Sequence, residues 1–143
     1  MTEPSVQALT DLRVLDLSDR LSGAFCARMF GDHGADVVMI EDEEGQTLRH
    51  EQPFLHETPG LERSLLHAYA NYNKRSVVLR TDDPRRAQLA ARADVIIVTD
   101  IAAEERARHE STDAIVAACT AYGLTGPKTG MPGNDLTAYA LSS

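Results

Sequence analysis

The sequence predicts an α/β fold in which a parallel, Rossmann-like sheet carries helices on both faces. Three observations favour it: short apolar runs typical of buried strands, helical periodicity between these runs, and Gly or Pro at many of the junctions. Strands that alternate with helices require right-handed parallel crossovers, which place the helices against the sheet. At 143 residues, the chain is expected to form one domain, 1–143, with its own core.

The first strand–helix–strand unit is the clearest part of the pattern. Residues 13–17 are predicted to form a buried strand, and 23–33 a helix with one apolar face and Ser22 as its N-cap. Gly34 is expected in the left-handed conformation that ends such a helix. Asp36–Glu41, which contains the apolar run VVMI, is predicted to be the second buried strand.

The rest of the chain continues the alternation after a long polar stretch, 42–60, which is expected to be a functional surface loop. The expected core is aliphatic, because aromatic residues make up only 5% of the chain. The further elements predicted are helix 61–70, strand 76–79, helix 84–92, strand 94–98, helix 102–110, strand 114–120 and helix 135–141.

Composition excludes several classes of partner. A formal net charge of −8 argues against non-specific binding to nucleic acid or to an anionic membrane.

No secretory signal or apolar run of membrane-spanning length is recognised. The two cysteines, Cys26 and Cys119, show no CxxC spacing and are interpreted as reduced, buried small side chains. A cytoplasmic location is expected.

The ligand site is expected beyond the carboxyl ends of the strands, as in other open parallel sheets. Neither a GxGxxG fingerprint nor a P-loop motif occurs there. The helix N-terminus after the first strand is still expected to hold a phosphate or pantetheine group through its backbone N–H groups. Its residues are Ser22, Gly23 and Ala24.

Two further segments offer candidate contacts. Lys74 and Arg75, beside Asn73, are suited to phosphate, although a solvated pair in a helix–strand loop is the alternative. Gly123 and Gly126 would let a loop backbone approach a ligand closely, unless that loop is an ordinary connector.

Other chemistries find no support in the residue pattern. Asp135 at the start of the last helix is more typical of a cap or first-turn acid than of a catalyst. The five histidines form no HExxH motif, and no GxSxG elbow occurs. The sequence therefore predicts no metal site and assigns no catalytic residue.

Several ordered motifs resemble CoA-transferase family III, the CaiB/BaiF type that includes formyl-CoA transferase, carnitine CoA-transferase and α-methylacyl-CoA racemase. They are RVLDLS (13–18), GAFCARMFGDHGADVVMIE (23–41), NYNKRS (71–76), ADV (93–95), YGLTGP (122–127), and Asp135 followed by AYALSS (138–143). The resemblance spans nearly the whole chain but only the N-terminal part of a typical member.

The resemblance implies a CoA-binding domain of a dimeric enzyme that moves CoA between carboxylic acids, with CoA or acyl-CoA as its substrate. In the transferases an Asp forms the covalent intermediates, and it lies downstream of the segment matching 138–143. The chain is therefore expected to be truncated before its nucleophile and inactive alone. It would need a completing segment of a longer chain or a second copy in a homodimer.

Departures from the family pattern concern the same edge of the sheet. Met39 and Asp42 stand where the family often has Lys and a cation or Pro, TDIAA (99–103) replaces the family's NFRPG loop, and Ala24 replaces a Pro. Racemases carry a His where this chain has Asn134, which disfavours that activity. A degenerate, non-catalytic CoA-transferase-like binding or structural module is the alternative interpretation.

Overall fold

A computed structural model describes residues 7–111 and 113–142. Five strands alternate with helices along this part of the chain. The strands are β1 (Arg13–Asp16), β2 (Asp36–Glu41), β3 (Arg75–Val78), β4 (Val95–Val98) and β5 (Ile115–Ala118). The helices are α1 (Leu21–Asp32), α2 (Leu65–Ala70), α3 (Arg85–Ala90), α4 (Ile101–Glu110) and α5 (Asp135–Ser142).

The sheet is parallel throughout, in the order β3-β2-β1-β4-β5. Val14 on the central strand pairs with Val37 of β2 on one side and with Val95 of β4 on the other. This confirms the predicted Rossmann-like α/β class. The chain therefore adds β2 and β3 on one side of β1 and then returns to add β4 and β5 on the other side.

Alternation along the strands divides the core into two layers. On one face, Val14, Val37 and Ile97 pack with Ala27 of α1. On the other, Leu15, Ile40, Ile96 and Val98 pack with small residues from α3 and α4, among them Ala90, Ala103 and Ala107. Strands covered on both faces explain the continuous apolar runs in the sequence.

Boundaries differ from prediction where local contacts decide them. Helix α1 begins at Leu21 with Arg20 at its N-cap, so the predicted cap at Ser22 is wrong. Helix α2 is shorter than expected because the Ser64 hydroxyl accepts a hydrogen bond from the His67 backbone N–H and starts the helix there. Gly34 has φ +99°, as the predicted helix end requires.

The long loop after β2 contains two 3₁₀ helices, Thr47–His50 and Leu55–Glu57. It is anchored to the domain, since Gln46 and Leu48 are buried. Among the residues described, no helix combines the length and apolar character needed to cross a bilayer.

Candidate functional site at the carboxyl edge of the sheet

The order of the strands reverses at β1, so the loops that follow β1 and β4 leave the sheet in different directions. Such a point forms the ligand crevice in other open α/β sheets. Here the two loops are joined by the Asp19 backbone N–H, which donates to Thr99 Oγ1 at 3.2 Å, and by the Thr99 hydroxyl, which donates to Asp19 Oδ1. These hydrogen bonds hold the two loops together at the position of that crevice.

Helix α1 begins at this crevice without a side-chain cap, because Arg20 makes no capping hydrogen bond. By contrast, Asp100 Oδ1 caps α4 by accepting from the Ala103 N–H at 2.7 Å. Leu21 and Ser22 in the first turn of α1 are exposed. First-turn N–H groups have no acceptor within their own helix, so this end of α1 presents donors for an anion or a carbonyl group.

Gly23 fits α1 tightly against both loops of the crevice. A Cβ at Gly23 would lie 2.5 Å from Ser18 Cβ and 2.6 Å from Thr99 Cγ2, closer than real side chains approach. Gly23 and Ala24 are themselves buried. Of the three predicted ligand contacts in this turn, Ser22 is accessible, as is its neighbour Leu21, while Gly23 and Ala24 are buried and set the position of the helix.

Lys74 is buried beneath the same turn. Its side chain is 1% exposed, and its ammonium group donates to Asp16 Oδ2 at 2.6 Å, to the Ala24 carbonyl at 2.7 Å and to Asn71 Oδ1 at 2.7 Å. These three bonds use the three N–H groups of a lysine. In this conformation Lys74 has none left for the phosphate contact expected from the sequence.

Asp16, the partner of Lys74, is fully buried at the end of β1 and also accepts hydrogen bonds from the Ser18 backbone N–H at 3.0 Å and from its hydroxyl at 2.6 Å. Burial lowers the pKa of Lys74, and the neighbouring carboxylate opposes that change. The Asp16–Lys74 pair therefore connects the turn after β1 to the carbonyl of Ala24 in α1.

A second buried carboxylate, Glu41, lies at the end of β2. Its oxygens accept from the Arg49 guanidinium at 2.5 and 2.9 Å, from the Gln46 backbone N–H at 2.9 Å and from the Ser76 hydroxyl. Burial alone would raise the pKa of Glu41, but the hydrogen bonds from Arg49, Ser76 and Gln46 lower it to about 2. Glu41 thus stays ionised and fixes the long loop against the sheet.

Gln46 and Asn71 connect the two buried carboxylate clusters. The Gln46 side-chain amide donates to the Ser18 carbonyl at 2.8 Å, and the Asn71 amide donates to Gln46 Oε1 at 2.8 Å. The sequence interpretation missed this network. The available signals were charged residues, Asp16 and Glu41, at the ends of otherwise apolar strands.

Arg75 and Asn73 lie away from the crevice. Arg75 forms a two-oxygen contact with Asp36, the first residue of β2, at 2.6 Å, and its side chain is 69% exposed. The Asn73 amide donates to Asp32 at the end of α1, with Asn73 in the left-handed region at φ 62°. Lys74 and Arg75 therefore point to opposite faces of the sheet and are not one phosphate clamp.

The glycine-rich loop after β5 is exposed at Gly123 and Gly126, whose φ values are +78° and +105°. A Cβ at either position would meet nothing within 4 Å, so the backbone angle is what requires glycine. Asp135 begins α5, and its side chain lies outside what the structure describes. Asn134 Oδ1 caps that helix by accepting from the Thr137 N–H at 3.0 Å.

An open cleft of about 540 Å³ lies where the chain leaves β2 and β3. Its lining carries four carboxylates and one guanidinium, which is an unfavourable field for a phosphate. The lining residues are Asp42, Glu43, Glu44, Arg80, Thr81 and Asp82. Within 7–111 and 113–142, no group of three or more His, Cys, Asp and Glu side chains is arranged to hold a metal ion.

Comparison with known proteins gives consistent matches. The family model of CoA-transferase family III matches residues 9–143. The chain is 30% identical to the succinyl-CoA:(R)-benzylsuccinate CoA-transferase subunit BbsE of Thauera aromatica, over 95% of this chain and 36% of that protein. It is 35% identical to the succinyl-CoA:mesaconate CoA-transferase of Haloarcula marismortui, over 94% of this chain and 38% of that protein.

The fold matches as well. A crystal structure of a CAIB/BAIF family protein from Brucella suis is similar with a TM-score of 0.81 at 27% identity, covering 96% of this chain and 39% of that one. The chain thus spans less than two fifths of the length of these relatives.

Proposed function

Since this chain belongs to CoA-transferase family III, we propose that it is the CoA-binding N-terminal part of an enzyme that moves CoA between carboxylic acids. The observation that carries the proposal is the uncapped N-terminus of α1 at the strand-order reversal. Its backbone N–H groups would hold an oxygen of the pyrophosphate or pantetheine of CoA. Relatives with CoA-transferase names support the choice of ligand.

The proposed role of each residue follows from its position relative to the first turn of α1. Ser22 and its neighbours in the first turn would face the ligand, while Lys74 would act beneath them as a positioning residue. The loop at Gly123 and Gly126 would border the thioester, with Asp135 beyond it. Asn73 and Arg75 would hold the segment before β3 in place and contact CoA only if their present partners, Asp32 and Asp36, released them.

Transfer itself would need groups outside this chain. We assign no nucleophile to it and expect 1–143 to act as one CoA-binding domain, completed by further sequence or by a second copy in a dimer, in the cytoplasm. Turnover would follow a ping-pong route in which CoA passes from one acid to the enzyme and then to the other acid. Acyl-CoA exchange by the purified 143-residue chain would contradict this part of the proposal.

Replacement of Leu21 by proline tests the helix terminus directly. Leu21 is the first helical residue, and Arg20 before it has the extended backbone (φ −126°, ψ 156°) that a following proline requires. Leu21→Pro therefore removes one unpaired N–H with little strain. Leu21→Ala is the matched control, because it removes the side chain and keeps the N–H.

Calorimetric titration with CoA is the measurement. We expect a loss of affinity of about tenfold for Leu21→Pro, corresponding to one charge-assisted hydrogen bond, and near-normal affinity for Leu21→Ala. Equal affinity of both variants and the parent chain would exclude the helix terminus as the CoA contact.

The acidic cleft lined by residues 42–44 and 80–82 favours a second candidate, a CoA-transferase-like module that no longer binds CoA. Asp42→Lys separates the two, since a cation at this position would strengthen binding of a phosphate-bearing ligand that already docks nearby. Absence of measurable CoA binding in both the parent chain and Asp42→Lys would favour the non-binding module.

A further inference from the structure

The two cysteines of the chain lie together although they are far apart in the sequence. Cys26 is on α1, and Cys119 directly follows β5, where its N–H donates to the Val98 carbonyl at 2.8 Å and extends the sheet by one residue. Both side chains pack against the same apolar cluster, which includes Ala27 and Ile97. The two thiols interact electrostatically with each other.

Neither cysteine is fully enclosed by the core. Both cysteines are partly exposed, unlike the fully buried core residues beside them. Cys26 is two positions beyond Ala24, whose carbonyl accepts from Lys74, and it lies within electrostatic reach of that ammonium group. Both residues thus keep a share of solvent exposure while they pack against the core.

We propose that Cys26 and Cys119 form a reversible dithiol–disulfide pair that links helix α1 to the end of β5. The oxidant is a low-molecular-weight disulfide of the glutathione class. One cysteine thiolate attacks it, forming a mixed disulfide and releasing one thiol; the second cysteine then attacks the mixed disulfide and releases the other. In sum, two protein thiols lose two electrons and two protons, and the oxidant becomes two thiols.

A disulfide between Cys26 and Cys119 would limit the motion of the segments that carry them. Cys119 precedes the glycine-rich loop that contains Gly123 and Gly126, and Cys26 lies in the helix that begins at the crevice. A bond between the two sulfurs would restrain helix α1 against the segment that follows β5. Oxidation should thus stiffen the domain, and this expectation is independent of whether CoA binds.

The test treats the full chain with oxidised glutathione, quenches free thiols with iodoacetamide, and measures the intact mass and the non-reduced peptide map. We expect loss of two hydrogen atoms from the mass, a peptide cross-linking positions 26 and 119, and a melting temperature raised until dithiothreitol is added. Chains carrying glutathione on both cysteines, chains linked to one another, or chains left unreacted would each overturn the proposal.

Single variants provide the control. Cys26→Ala and Cys119→Ala each lack one partner, and Cys119→Ala should stop at the mixed disulfide with one bound glutathione. Cys26→Ala should likewise stop at one bound glutathione, on Cys119, without a cross-link. If a variant fails to fold, the peptide map of the parent chain still decides between cross-link and adduct.

Discussion

Lys74 donates a 2.6 Å hydrogen bond to Asp16, and the two side chains are 1% and 0% exposed although 58 residues separate them in the sequence. A cation that looks like a surface phosphate contact in the sequence is therefore an internal support of the crevice. Its remaining N–H groups bind Ala24 and Asn71, so that one ammonium group connects β1, α1 and the segment before β3.

Removal of this cation should be strongly destabilising. Lys74→Met leaves Asp16 as an uncompensated buried charge, and we expect the free energy of unfolding to fall by about 3–5 kcal/mol in urea titrations. Arg75→Met is the matched control next to it. Because the Arg75–Asp36 pair is exposed, its loss should cost about 0–1 kcal/mol.

A double variant distinguishes charge from packing at the same position. Asp16→Leu combined with Lys74→Met removes both charges and should recover a measurable part of the stability lost in Lys74→Met alone. A double variant less stable than either single variant would show that hydrogen bonds to Ser18, Ala24 and Asn71 matter more than the ion pair.

Acid should destabilise the domain through Glu41. Its pKa is about 2 in the folded chain, against about 4.3 in an unfolded one. The stabilisation is therefore fully present above the unfolded pKa and is lost as the pH falls from about 4.3 toward 2. The shift corresponds to on the order of 2–3 kcal/mol.

Glu41→Gln checks this assignment by urea titration at several pH values. The variant should be less stable than the parent chain at pH 7, and its stability should change less across the acid range. Glu62→Gln is the control, because Glu62 contacts Arg49 but its side chain is 88% exposed. Parallel acid profiles for Glu41→Gln and the parent chain would contradict the assignment.

His67 should give a separate pH dependence near neutrality. Burial lowers the pKa of His67, assisted by the charge of Arg49 and opposed by that of Glu41, and its buried Nε2 has no hydrogen-bond partner among the described residues. The unfolded chain therefore takes up the proton first, and stability falls as the pH drops below the ordinary value of about 6.5.

His67→Leu should flatten the dependence of the melting temperature on pH between about 7 and 5. His56→Leu is the control, since His56 is exposed in the loop. If the dependence of the melting temperature on pH were unchanged in His67→Leu but reduced in His56→Leu, it could not be assigned to His67.

Gly23→Ala should displace α1, because the added methyl would meet Ser18 and Thr99 at 2.5 and 2.6 Å. We expect a cost of about 1–3 kcal/mol in chemical unfolding and weaker CoA binding, as the helix start moves away from the crevice. The neighbouring Ser22→Ala, at an exposed position, should change stability by less than about 1 kcal/mol. Equal stability of the two variants would show that the loops containing Ser18 and Thr99 shift to accommodate the added methyl group.

The sequence predicts the sheet well because each buried parallel strand can be recognised from its own apolar run. The bounds of Asp36–Glu41 are confirmed, and every predicted strand is present within the described residues. The start of α1 is harder to predict, because the helix begins at Leu21 after Arg20 and no side-chain cap marks that position. Ser22 therefore resembles a cap without being one.

Site residues are harder to predict because charge in a sequence does not reveal burial. Lys74 and Arg75 are adjacent and chemically similar, yet strand geometry directs one into the domain and the other into solvent. Glu41 at the head of an acidic run gives no sign that Arg49 will bind it. Such pairings arise only when separate elements are brought together.

The central position of β1 also has a consequence for synthesis of the chain. Arg13 binds Asp94, 81 residues later, and Val14 pairs with Val95. As the chain emerges from a ribosome, its first strand has a partner in β2 early but keeps one edge open until β4 has appeared. Because an open apolar edge invites wrong pairing, the interval between translation of β2 and of β4 is when a nascent chain of this topology most needs a chaperone.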